Sequence, residues 1–180
     1  VLIREDKREN RTSVRTYFKS KAIFTFLSKS INLPVGPKIN CQVPETIKNS
    51  DKDIKISFLR GLADTDFSLT FKRRYRNYHY YPTISLASKS EKLITDVNQI
   101  LVDLGFKIST IYNIKNYDSR TKKVYVKSTV ELNGLDNLNL WMNKVGFKSE
   151  KHLTKYNVWK KLGYCPPYTN INQRIEMLNS

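Results

Sequence analysis

The stretch Phe58-Leu59-Arg60-Gly61-Leu62-Ala63-Asp64-Thr65-Asp66-Phe67-Ser68-Leu69 runs a helical pattern into a strand pattern through two acids set two residues apart. Ile54, Phe58, Leu59 and Leu62 fall on one side of a helix predicted over 54–64. Leu69 and Phe71 then alternate with Ser68, Thr70 and Lys72, as in a strand with one covered face. Gly61 lies mid-helix, where it costs about 1 kcal/mol relative to alanine. Close approach of a second helix backbone would offset that cost. Two such helices packed symmetrically would bring their C-terminal acids to one point. Paired carboxylates are what a divalent-metal phosphodiester cleavage site needs.

Working outward, Ile84 and Leu86 alternate with Thr83 and Ser85 in a second strand. Residues 90–104 read as a helix with Leu93, Ile94, Val97, Ile100, Leu101 and Leu104 buried and Gly105 closing it. A hairpin is expected over 108–114 and 122–128, turning at Asn116-Tyr117-Asp118-Ser119, followed by a helix over 135–145 ended by Gly146. A basic helix over 152–162 precedes Cys165-Pro166-Pro167, and the tail from Tyr168 is either a short helix or disordered. Before the central stretch, strands at 1–5 and 12–18 flank a polar turn, and Ile23, Phe24, Phe26 and Leu27 mark a helix over 20–30. Pro34-Val35-Gly36-Pro37-Lys38 follows that helix as Lys144-Val145-Gly146-Phe147-Lys148 follows the later one, which suggests an internal repeat. Residues 1–50 are then the back half of a first repeat, 51–165 a complete second repeat and 166–180 a tail. The front half of the first would lie upstream of Val1.

The 180 residues suit one domain or two small repeats, and 39% hydrophobic with 27% charged residues is a globular balance. Lys and Arg number 32 against 16 Asp and Glu, a net charge of +16 that attracts polyanions, nucleic acid first among them. No apolar run reaches the roughly 18–20 residues of a membrane span, so no membrane partner is expected. The first residues show no signal-peptide core, and Val1 in place of Met suggests a processed or partial chain. Cys41, Cys165, His79 and His152 make neither a disulfide framework nor a zinc set, pointing to a reducing, intracellular setting. Neither a phosphate-cradling glycine loop nor a nucleophile elbow is present, which disfavours nucleotide-binding and serine-hydrolase readings.

Residues 59–66 resemble the motif of the LAGLIDADG homing endonucleases at the leucine-type positions, the glycine and both acids, and the downstream element order over 54–162 follows that family. The resemblance implies an α+β fold, an αββαββα repeat with a saddle-shaped antiparallel sheet, preceded here by part of a first repeat. It implies a site-specific, intron-encoded double-strand DNA endonuclease that hydrolyses phosphodiesters with Mg²⁺ or another divalent metal and reads the major groove with its strands. Asp66 matches the catalytic, metal-binding acid, and Asp64 the acid that supports the helix end. Leu59, Gly61 and Leu62 match the helix interface. Strand parity gives Ser68, Thr70, Lys72, Arg74, Thr83 and Ser85 as DNA-facing, with Lys123, Tyr125 and Lys127 joining them if Val124 and Val126 are buried. Lys151 and Lys38 match the basic residues near the scissile phosphate, and Lys148 is a rival.

This chain departs from the family pattern in two ways. Phe67 stands where the motif ends in glycine, a strained choice if the position needs a positive φ. One motif copy builds only half a site, so the second acid must come from a homodimer or an upstream half. The alternative on the same fold is a non-cleaving nucleic-acid-binding protein, an RNA maturase or a DNA-binding regulator. An endonuclease excised from an intein is a third reading, disfavoured by Val1 and by the lack of His before Asn179.

Overall fold

Leu69 and Phe71, Ile84 and Leu86, and Val130 and Leu132 all point to one side of a single sheet and are buried, while their neighbours along each strand point to the other. The computed structural model describes residues 2–8, 11–17, 19–33, 35 and 40–180, which form two compact units, 1–35 and 36–180. Lys38 lies outside the described residues. Among them, no helix is long and apolar enough to cross a membrane.

In the first unit β1 (Leu2–Arg8) pairs antiparallel with β2 (Arg11–Tyr17). The strands run further than the polar sequence suggested, because pairing extends to Arg8↔Arg11. Helix α1 (Lys21–Thr25) is capped by Ser20 and continues as one π-helical stretch, Phe26–Ser30.

The second unit holds α2 (Glu45–Lys48), α3 (Lys52–Thr65), β3 (Phe67–Lys72), β4 (Tyr81–Ser88), α4 (Glu91–Asp103), β5 (Ile108–Asp118), β6 (Lys123–Asn133), α5 (Leu135–Lys144), α6 (Glu150–Leu162) and α7 (Ile171–Asn179). The sheet is antiparallel in the order β3-β4-β6-β5. α4 packs on β4, β5 and β6, α5 on β4 and β6, and α3 and α6 on β3. Helices therefore cover one face and leave the other open, an α+β architecture. Trp141 of α5 sits at the centre of the core, fully buried, with Phe67, Phe106 and Phe147 ringed around it at 5.3–5.8 Å.

Helix ends follow local chemistry. Ser90 accepts a hydrogen bond from Leu93 N and starts α4, while Gly105, Gly146 and Gly163 take positive φ after α4, α5 and α6. The tail is helical: Asn170 and Gln173 form a capping box, and buried Arg174 donates to Thr154 Oγ1 of α6 at 2.9 Å. Two expectations are corrected. β5 and β6 pair through Asp118↔Lys123, so the turn spans 119–122, three residues beyond the expected 116–119. Val124 and Val126 are 62% and 44% exposed, because this end of the hairpin reaches past the helices. Their side still matches that of Val130 and Leu132 along the strand, so the parity stands while the burial does not.

Candidate nucleic-acid interface

Cross-strand register places Ser68, Ser85, Glu131 and Ser109 in one row on the open face, and Thr70, Thr83 and Asn133 in the next. Ser68 and Ser85 share a hydrogen bond of 3.0 Å, and Lys72 Nζ lies 3.2 Å from a Glu131 carboxylate oxygen. Thr70 is exposed, and Ser85 is half-buried. Thr83 is a correction: flanked by Thr70 and Asn133, it is 1% exposed and donates its hydroxyl to Asn133 Oδ1 at 2.9 Å. Arg74 is another, because β3 ends at Lys72 and leaves Arg74 in the loop beyond, stacked on Tyr75 and Tyr81. Lys123 and Tyr125 are exposed at the hairpin end and Lys127 is half-buried. Reading β6 as a strand that stops near 128 missed Glu131 and Asn133; the same odd-number parity, carried five residues further, points to both.

α3 shows two faces. Leu59 and Ala63 are fully buried in the core, so Leu59 does not belong to an interface with another helix. Its burial follows from its place three positions before Leu62 and four before Ala63 on the inward side. Leu62 is half-buried against the core. Ile54, Ser57, Gly61 and Thr65 are exposed along one stripe, and a Cβ on Gly61 would meet nothing within 4 Å. Among the described residues nothing requires glycine there.

The two acids at the end of α3 have different surroundings. Asp64 Oδ1 accepts from the backbone N–H groups of Lys148 and Ser149, both at 3.0 Å, tying α3 to the start of α6. An acid at a helix N-terminus is favourably placed in the helix field. Asp66, the C-cap residue, is exposed and accepts from Thr65 Oγ1 at 2.9 Å. Among the described residues no cation pairs with it. A carboxylate at the negative end of a helix dipole is disfavoured by about 0.3–1 kcal/mol, so stability alone does not call for an acid here. Phe67 avoids the anticipated strain: it enters β3 without a positive φ and buries its ring on Trp141.

Lys151 is exposed in the first turn of α6, and Lys148 sits just before that helix. His152, next along α6, is fully buried against Phe147, 4.7 Å between ring centroids, with the Ala63 backbone beside its ring. Burial, with help from the Lys151 and Lys155 charges, lowers its pKa to about 4, while Asp64 and the Ala63 backbone pull the other way.

As a metal ligand, Asp66 supplies exposed hard oxygen donors of the kind Mg²⁺ takes. Among the described residues no three His, Cys, Asp or Glu side chains converge on one point. Among the described residues, Asp66 could therefore offer a divalent cation one carboxylate and not a complete set of ligands.

A family model described as a LAGLIDADG-like domain matches residues 53–156, more than half of the chain. The tRNA-splicing ligase RtcB of Methanopyrus kandleri is 28% identical over 143 residues, which cover 76% of this chain and 14% of the ligase. The chain thus spans a small part of that relative's length. The matched segment begins with α3, contains the whole four-stranded sheet and ends in α6. With its glycine-bearing helix, paired acids and open sheet face, the chain belongs to the LAGLIDADG-like domain family.

Proposed function

We propose that this chain is one half of a site-specific double-strand DNA endonuclease, holding duplex DNA on the open sheet face and contributing Asp66 to a shared cleavage site. The observation that carries this is the contrast between the acids: Asp64 caps α6, while Asp66 stands exposed, with no cation paired to it among the described residues, at the end of a helix whose outward stripe is open at Gly61. A second motif helix packed along that stripe, from an upstream segment or from another copy, would bring a second acid to Asp66. The two acids would hold Mg²⁺ or another divalent cation, which when bound supplies charge neutralisation and an activated water. This chain's residues hold the duplex: Lys123 and Tyr125 are open for phosphates or base edges, Thr70 and Ser85 for bases, and Lys151 for the phosphate near the break. Lys72 can contact DNA only by leaving Glu131.

Asp66→Asn keeps the shape and removes the charge. It should lower cleavage of a target duplex roughly a hundredfold or more, with duplex affinity and melting temperature nearly unchanged. Cleavage that survives Asp66→Asn would remove this acid from the mechanism. A second reading, binding without cleavage by an RNA maturase or DNA-binding regulator, is favoured by one observation: among the described residues no three His, Cys, Asp or Glu side chains gather into a metal site, at Asp66 or elsewhere. It would be established if the wild-type protein binds duplex or intron RNA, cuts neither with Mg²⁺ present, and loses nothing with Asp66→Asn.

A further inference from the structure

The segment from β3 to β4, Lys72-Arg73-Arg74-Tyr75-Arg76-Asn77-Tyr78-His79-Tyr80-Tyr81, interleaves cations with tyrosines, and no acid occurs between Asp66 and Glu91. The structure sorts these side chains into stacks. The Arg74 guanidinium lies 4.6 Å from the Tyr81 ring centroid and 5.2 Å from that of Tyr75. Arg76 lies 5.2 Å from the Tyr80 ring and 5.7 Å from Tyr78, which meets Tyr164 edge-on at 6.0 Å. Tyr75 is 82% exposed. Beside Arg74 an open hollow of about 340 Å³ is lined by Lys72, Arg73, Arg74, Tyr81 and Asn133. Gly134 leaves room for the Tyr81 ring on that side, since a Cβ there would sit 3.2 Å from Tyr81 Oη.

The loop is held at its neck. His79 Nδ1 faces the Phe71 carbonyl at 2.8 Å and so donates to it, leaving Nε2 to accept from Arg73 Nε at 3.1 Å. Cys165 N donates to His79 O at 3.0 Å, and Trp159 Nε1 to Tyr80 O at 2.8 Å. Order of this kind lowers the entropic cost of binding.

We propose that this loop is a second nucleic-acid site, which takes unpaired nucleotides by stacking bases on Tyr75 and Arg74 while Arg73, and Lys72 once it leaves Glu131, meet their phosphates at the hollow. Duplex phosphates call for cations alone, because paired bases are stacked inside the helix and out of reach of an exposed ring. Ordered, solvent-facing aromatic rings alternating with guanidinium planes suit the open π-faces of a single strand. The proposal needs neither Asp66 nor the pairing of α3 with another helix.

Anisotropy of the full chain with three labelled probes of equal length, oligo-dT, oligo-U and a DNA duplex, tests it. Tyr75→Ala and Arg74→Lys, the second keeping the charge and losing the plane, should each weaken single-strand binding about tenfold and duplex binding less than twofold. A preference for oligo-dT or oligo-U would identify the strand as DNA or RNA. Equal losses on single strand and duplex would overturn the proposal in favour of a phosphate clamp. So would no loss on either, or displacement of the oligomers by polyglutamate at matched charge, which would mark an acidic protein partner. Wild-type protein that binds no duplex refutes the proposed function instead, independently of how the two variants treat single strands. Unchanged melting of both variants confirms that the fold is intact.

Discussion

Asp64 and Asp66 differ by two positions and by everything around them. Asp64 is a reverse cap, an acid from one helix holding the first amides of another. Replacing it would loosen the joint between α3 and α6, whereas the Asp66 carboxylate accepts from its neighbour Thr65. Phe67 shows how a glycine position can be rebuilt: an extended backbone and a ring on Trp141 replace the conformational freedom of glycine with buried apolar area. His152 sits in the same joint, and its proton balance has a direction. Its folded pKa, about 4, lies below the ordinary 6.5, so the unfolded chain takes up its proton first on acidification. Stability from this group is complete above pH 6.5 and drains as pH falls from there through 4, roughly 1–3 kcal/mol in all. Urea unfolding at stepped pH should show this decline. His152→Leu should flatten it, and an unaltered slope in that variant would assign the decline to other groups.

α3 carries the clearest conflict between local propensity and placement. Its inward residues, Leu59 and Ala63, are covered by this chain, while the outward stripe through Gly61 is bare. Glycine in an exposed helix interior is unfavourable, and the space around it is open. Gly61→Ala should therefore raise the unfolding free energy by about 0.5–1 kcal/mol. If a second helix packs against the stripe, the same change should weaken that association, read by sedimentation or by binding to a motif-bearing partner. A destabilised chain would mean that Gly61 serves this fold instead. In the β5–β6 hairpin the polar run beginning at Asn116 resembled a turn, yet cross-strand partners Asn116↔Tyr125 and Tyr117↔Val124 keep it extended. The turn starts where the Asp118 carboxylate accepts from Arg120 N at 2.9 Å, and it closes with Lys122 at φ +52°.

Across the whole molecule the net charge of +16 makes association with nucleic acid strongly dependent on salt. The logarithm of duplex affinity should fall linearly with the logarithm of salt concentration, with a slope of about −5 to −9 if six to ten phosphates are neutralised. A slope near zero would place the excess charge elsewhere than on DNA. Glu131 tempers the field locally, holding Lys72 on the open face, while Lys123 at the hairpin end and Arg73, Arg74 and Arg76 in the β3–β4 loop are exposed.

Much of this architecture was legible in the amino-acid order. Period-two and helical spacings marked the elements around the sheet, glycines marked the ends of α4 and α5, and residues 59–66 showed that two acids end a glycine-bearing helix. Those signals are local, carried by neighbours a few positions apart. Which acid stays free was decided only in the tertiary structure, because the amides that engage Asp64 lie more than eighty residues away. The same holds for Thr83, closed by strand register against Asn133, and for Leu59, whose side of α3 is set by what packs on it. A hydrogen-bond partner or a covering side chain is chosen by the register and packing of distant segments, and periodicity along the chain carries no record of that choice.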